Sequence, residues 1–171
     1  MQEFSKHVLS LTKDIQIDVR KWSKPPDEGF FASSEQVLPF SVVRGTRVYI
    51  EKVANQINGC YEKGWYDACA VMMRRLVETL IIEAFESYNI DNNIKNSNGD
   101  FLYLGDLIDR TLNETAWNLS RNVKKALPRL KTIGDLSAHC RRFNAHYGDI
   151  EPIKDDFRVV IQELVYLAKL K

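Results

Sequence analysis

Apolar residues recur along this chain at steps of three and four, the spacing of one helical face. Phe4, Val8, Leu11, Ile15, Val19 and Trp22 mark such a face over residues 4–22. The run Lys24-Pro25-Pro26-Asp27 ends it, because two prolines remove backbone donors and fix φ. Residues 23–41 then read as a loop, with Phe30, Phe31, Val37, Leu38 and Phe40 pinning it to the body. A second helix is predicted over 42–61, with Val53, Ile57 and Tyr61 inward. A tight turn at Gly64 follows, with Asp67 as N-cap of the next helix.

The helix predicted over 67–88 is apolar around most of its circumference. At about 100° per residue, Asp67, Arg74, Arg75, Glu78 and Glu86 share one sector roughly 120° wide, and only Glu83 falls outside it. Such a helix belongs at the centre of a bundle, with Arg74, Arg75 and Glu78 as its polar strip and Arg74 four residues from Glu78. The Asn-, Asp- and Gly-rich stretch 89–100 is a loop, and a short helix over 103–112 follows. Leu119, Val123, Ala126, Leu127, Leu130, Ile133, Ser137 and Cys140 keep one phase over 117–147, with Pro128 expected to kink the helix or start a new one, and Gly134 a second weak point. Ile153, Phe157, Val160, Ile161, Leu164, Leu167 and Ala168 form the stripe of a last helix over 152–170. No alternating strand pattern appears. The fold class is all-α: a bundle of about five helices, with residues 1–41 as an extra N-terminal helix and packed loop and 42–171 as the helical domain.

Composition fits a globular chain of 171 residues, with 44% hydrophobic and 27% charged residues. The start MQEFSKHVLSLTKD has no apolar signal core, and the most apolar stretch, around 76–85, contains Glu78 and Glu83. The expectation is a cytoplasmic protein that spans no membrane. Cys60, Cys69 and Cys140 are odd in number and lack C-x-x-C spacing, which argues against a disulfide framework or zinc ribbon. Charge changes the picture more. Seven cations and one acid lie between Leu119 and Gly148, a local net of +6 in a chain of net +1, so the remainder carries −5. One electropositive region is the expected result.

The common nucleotide-binding, hydrolase and zincin motifs are absent from the sequence. What remains is Ile133-Gly-Asp-Leu-Ser-Ala-His139-Cys-Arg141-Arg142-Phe-Asn144-Ala-His146-Tyr147. A histidine titrates near neutrality and moves protons, and an arginine holds a phosphate and stabilises its developing charge. Arg141, His146, His139 and Asn144 are therefore the candidate catalytic residues for cleaving a phosphodiester. Arg142, Lys124, Lys125, Arg129, Lys131 and Tyr147 are the candidate nucleic-acid contacts. With RNA the 2′-hydroxyl is the nucleophile, so neither metal nor cofactor is required. A solvated basic face with one buried histidine is the alternative. A metal held by His139, Cys140 and His146 is the weaker option, because Cys140 points about 100° from His139 on a helix. Trp65, Trp117 and the Phe30-Phe31 pair are candidates for base stacking, against the simpler explanation of burial.

Tyr66-Asp-Ala-Cys-Ala-Val-Met-Met-Arg-Arg75-Leu-Val-Glu78-Thr-Leu, followed by Leu130-Lys-Thr-Ile-Gly134-Asp135-Leu-Ser-Ala138-His139, resembles the bacterial family called "domain of unknown function 4145" over residues 50–170. That family is similar to the HEPN superfamily of helical bundles. The resemblance implies an all-α bundle, often a homodimer, in defence or toxin–antitoxin settings. The active relatives are metal-independent RNases whose R-x-x-x-x-H pair meets its counterpart across a dimer interface. Here alignment places the histidine at His139, with Gly134 where the arginine belongs and Asp135 for the family asparagine. The literal spacing falls on Arg141 and His146 instead. The departure at Gly134 points toward a non-catalytic branch, a helical interaction module with a protein partner.

Overall fold

The computed structural model describes residues 36–171, and the predicted helix over 4–22 with Phe30 and Phe31 lies outside them. Among the described residues the fold is all-α. Five main helices are α1 (Val48–Glu62), α2 (Tyr66–Ser87), α3 (Leu104–Asn113), α4 (Arg121–His139) and α5 (Lys154–Leu167). Short turns at Phe40–Val43, Asp91–Ile94, Tyr147–Ile150 and Glu151–Ile153 link or precede them. Among the described residues, backbone pairing between extended segments is confined to an isolated bridge between Lys95 and Phe101. No helix among the described residues is long and apolar enough to cross a membrane.

Helix α2 is the central element and packs against α1, α3, α4 and α5. Its Cys69, Ala70, Met73, Leu76, Val77, Leu80, Ile81, Ala84 and Phe85 are all buried. Fully burying one such Leu or Phe stabilises the fold by about 1.5–3 kcal/mol. All seven residues of the predicted C-terminal stripe, Ile153 to Ala168, are buried as well. Burial raises the Cys69 thiol to about 12, so it is an inert core residue. Val37 and Leu38 are fully buried and Phe40 packs against the core. Arg158 fastens this entry segment by donating to the carbonyls of Gln36 and Val37.

Several boundaries differ from the sequence expectation. The predicted helix over 42–61 is broken at Gly45, whose φ of +82° is left-handed, so the Phe40–Val43 turn and α1 are separate. Trp65, not Asp67, is the N-cap of α2, and Asp67 lies in its first turn. Pro152 lies in the turn Glu151–Ile153 and α5 begins only at Lys154. Pro128 neither ends nor restarts α4, which runs through it as one helix capped by the Ser120 hydroxyl. Pro128 is exposed, so the carbonyl of Lys124 that loses its donor lies beside solvent. Helix α4 stops at His139, which puts Cys140 outside the helix and exposed rather than on the inner face.

Candidate functional site

The two histidine registers occupy different settings. The first is built where α4 crosses α2. Gly134 is buried there, and a Cβ at its position would lie 2.6 Å from Cβ of Arg74. That atom is fixed by the α2 backbone and cannot rotate away, so the crossing requires a residue without a side chain. The close approach brings Asp135 to Arg74, whose Nε donates to Oδ1 at 2.8 Å. Lys131 donates to the other oxygen of Asp135, and Arg74 also reaches Glu78 at 3.4 Å. Burial opposes ionisation of Asp135, but the hydrogen bonds from Lys131 and Arg74 outweigh it and hold the carboxyl below its ordinary value. An open cleft of about 320 Å³ lies beside this network, lined by Arg74, Tyr103, Asp106, Lys131, Asp135 and His139. The two cations of the cleft are thus already matched by carboxylates. Arg75 is exposed and does not line the cleft.

The second register lies beyond the end of α4, in the turn 140–149. Ala145 N–H donates to Asp67 at 2.9 Å, tying the turn to the start of α2. His146 precedes the short helical turn Tyr147–Ile150 as its N-cap. Asp149 accepts from the His146 backbone N–H at 2.9 Å and lies 2.8 Å from its Nδ1. These two hydrogen bonds from His146 hold the Asp149 carboxyl below its ordinary value, so it is an ionised acceptor. The ionised carboxylate favours the tautomer with a proton on Nδ1 and a free lone pair on Nε2, against the Asp149 backbone N–H that the His146 side chain accepts in the reciprocal capping pair. The His146 side chain is 79% exposed.

Arg141, Arg142 and Asn144 are exposed, and their side chains make no hydrogen bond or ion pair among the described residues. Arg141 and His146 share the turn, with no hydrogen bond between them among the described residues. Of the cations predicted to follow phosphates, Lys124 and Lys125 are exposed on α4, Arg129 is paired with Asp156 at 2.6 Å, and Lys131 is engaged with Asp135. Tyr147 packs against Tyr61 and Tyr66. Trp117 is accounted for by edge-on packing on Phe85 and Tyr88, whereas Trp65 is 52% exposed, contrary to the simple explanation of burial. His139, Cys140 and His146 form no metal-binding group, and no other group of three His, Cys, Asp or Glu does so among the described residues.

Sequence reasoning missed Asp149 and Asp67. The spacing His146-x-x-Asp149 before a helical turn is the pattern of reciprocal capping and carried a usable signal for Asp149. Asp67 was assigned to its own helix, and its true partner is 78 residues away in the chain. Compared with known proteins, the chain matches no family model, no curated protein and no solved structure.

Proposed function

We propose that this protein is a HEPN-like RNA-binding protein that cleaves RNA without a metal, with the turn 140–149 as its site. The observation that carries this is the Asp149–His146 pair: an oriented, exposed imidazole in a turn whose two guanidinium groups have no partner among the described residues. Nε2 of His146 takes the proton of the RNA 2′-hydroxyl as its oxygen attacks phosphorus, and the P–O5′ bond breaks. Arg141 and Arg142 hold the phosphate oxygens as charge develops on them. The products are a 2′,3′-cyclic phosphate and a 5′-hydroxyl. The leaving oxygen needs a proton from a second group. A homodimer supplies it from the partner copy of the turn, in keeping with the family resemblance and a bacterial defence or stress role.

A non-catalytic interaction module is the second reading. It is favoured by the resemblance-aligned register, in which the arginine is replaced by a packing glycine and the neighbouring charges are matched internally.

The test is incubation of the full chain with RNA in EDTA, together with RNA affinity over a range of salt concentrations. Cutting to cyclic-phosphate ends, lost in His146→Ala, is the expected result. No cutting at any enzyme concentration and no salt-dependent binding would leave the interaction module as the account.

A further inference from the structure

The rings of Tyr61, Tyr66 and Tyr147 meet beside the turn 140–149. Tyr61 lies edge-on to Tyr66 at 5.8 Å, and Tyr147 sits 6.1 Å from Tyr61 and 6.3 Å from Tyr66. The cluster is braced from behind. The Tyr61 hydroxyl donates to Glu151, and Lys154, itself buried, reaches Glu151 at 2.9 Å with its ammonium 4.8 Å over the Tyr61 ring. Burial and then the Glu151 hydrogen bond push the Tyr61 phenol well above its ordinary range, so it remains a donor at any physiological pH. Tyr147, by contrast, is 50% exposed. Its ring is therefore ordered in advance by two fixed rings while one part still faces solvent, and a ligand that stacks on it loses little further side-chain entropy. The half-exposed Trp65 directly precedes Tyr66 in the chain.

We infer that Tyr147 is a stacking platform for an unpaired base, and that the substrate class of the site is single-stranded rather than duplex RNA. The inference rests on the RNA reading above. A base in a duplex has both faces covered by its neighbours, whereas a base in a single strand offers a free π-face. The platform directly follows His146 in the chain, so the stacked nucleotide and the reacting phosphodiester belong to the same short stretch of strand. Arg141 and Arg142, six and five residues before Tyr147, hold its phosphates.

The test compares the affinity of the chain for a 12-nucleotide single-stranded RNA whose 2′-hydroxyls are methylated so that it cannot be cut, the same strand in a duplex, and the same strand with abasic positions, in EDTA and by fluorescence anisotropy. The expected result is single-strand binding roughly ten-fold or more tighter than to the duplex or the abasic strand. Tyr147→Leu weakens single-strand binding about ten-fold and abolishes the preference, while Tyr147→Phe, which keeps the ring, stays within about two-fold. Arg141→Ala weakens every RNA alike and lowers the salt slope by about one. The strand comparison uses the unaltered protein, so it stands even if Tyr147→Leu disturbs the turn. Equal affinity for single strand, abasic strand and duplex, with the Arg141 effect intact, overturns the platform and leaves the RNA reading standing. Absence of any salt-dependent RNA binding overturns both.

Discussion

Two neighbouring stretches each carry a histidine and basic residues, and the bundle treats them in opposite ways. Between Lys131 and His139 the charges are consumed internally, with Arg74 and Lys131 on Asp135 and Arg74 on Glu78. Between Arg141 and Asp149 the guanidinium groups have no partner among the described residues, and the acid is spent on orienting an imidazole. A carboxylate that neutralises a cation makes structure, and one that fixes a histidine tautomer leaves a basic nitrogen available. On the proposed reading, the fate of the adjacent carboxylate, and not nearness to a family pattern, marks the histidine that carries chemistry.

The sharpest way to break the comparison is to fill the crossing. Gly134→Ala gains about 1 kcal/mol of helix propensity. It loses about 2–3 kcal/mol by forcing α2 and α4 apart. The net effect is a destabilisation of about 1–2 kcal/mol, a fall in Tm of several degrees. Gly148→Ala, in the turn, meets no atom within 4 Å and changes stability by less than about 0.5 kcal/mol. Equal melts for the two variants would show that the locked segment is not tightly packed.

Asp135→Asn comes next. It removes a charge from a hydrogen-bonded cluster and leaves Arg74 with Glu78 alone, at about 1 kcal/mol by urea denaturation. An unchanged midpoint would mean that the ion pairs are only decorative.

Acid should act on both regions in the same sense. Asp135 and Asp149 are held below their ordinary values, so the stability they contribute is complete above a pH of about 4 and fades as pH falls through the lowered values. Asp135→Asn should flatten that acid limb more than Asp149→Asn, because Asp135 is less exposed and has two cationic partners. An acid limb unchanged in both variants would remove these carboxylates from the account.

The smallest stability effect belongs to the turn itself. Asp149→Ala costs about 0.5 kcal/mol or slightly more, the scale of a lost capping bond on an exposed turn. The same substitution should shift the His146 ring away from the Nδ1–H tautomer in nitrogen NMR. An unaltered tautomer balance would mean that Asp149 does not orient the ring.

Periodicity made the core legible. The buried face of α2 and the stripe of α5 follow from spacing alone, because apolar residues at three and four steps have one face to bury. Gly64 marked the α1–α2 turn for the same local reason. That the helix continues through Pro128 was not legible, because the cost of a proline depends on whether its orphaned carbonyl is sealed or wet, which is tertiary information. Gly134 looked like a weak point in a helix, and its reason is a neighbour 60 residues earlier. The basic run marked the neighbourhood of the candidate site. Which cations are free was not legible, since Arg129 and Lys131 find acids only once the chain folds.

The central claim is that the chemistry lies in the 140–149 turn and not in the Gly134–His139 segment. Cleavage of RNA in EDTA by wild type, His139→Ala and His146→Ala tests it most directly, with thermal melts as a control for folding. The account predicts that His146→Ala loses roughly 10²–10⁴-fold in rate while His139→Ala retains it within a few-fold. Loss of cleavage in His139→Ala with His146→Ala still active would contradict it.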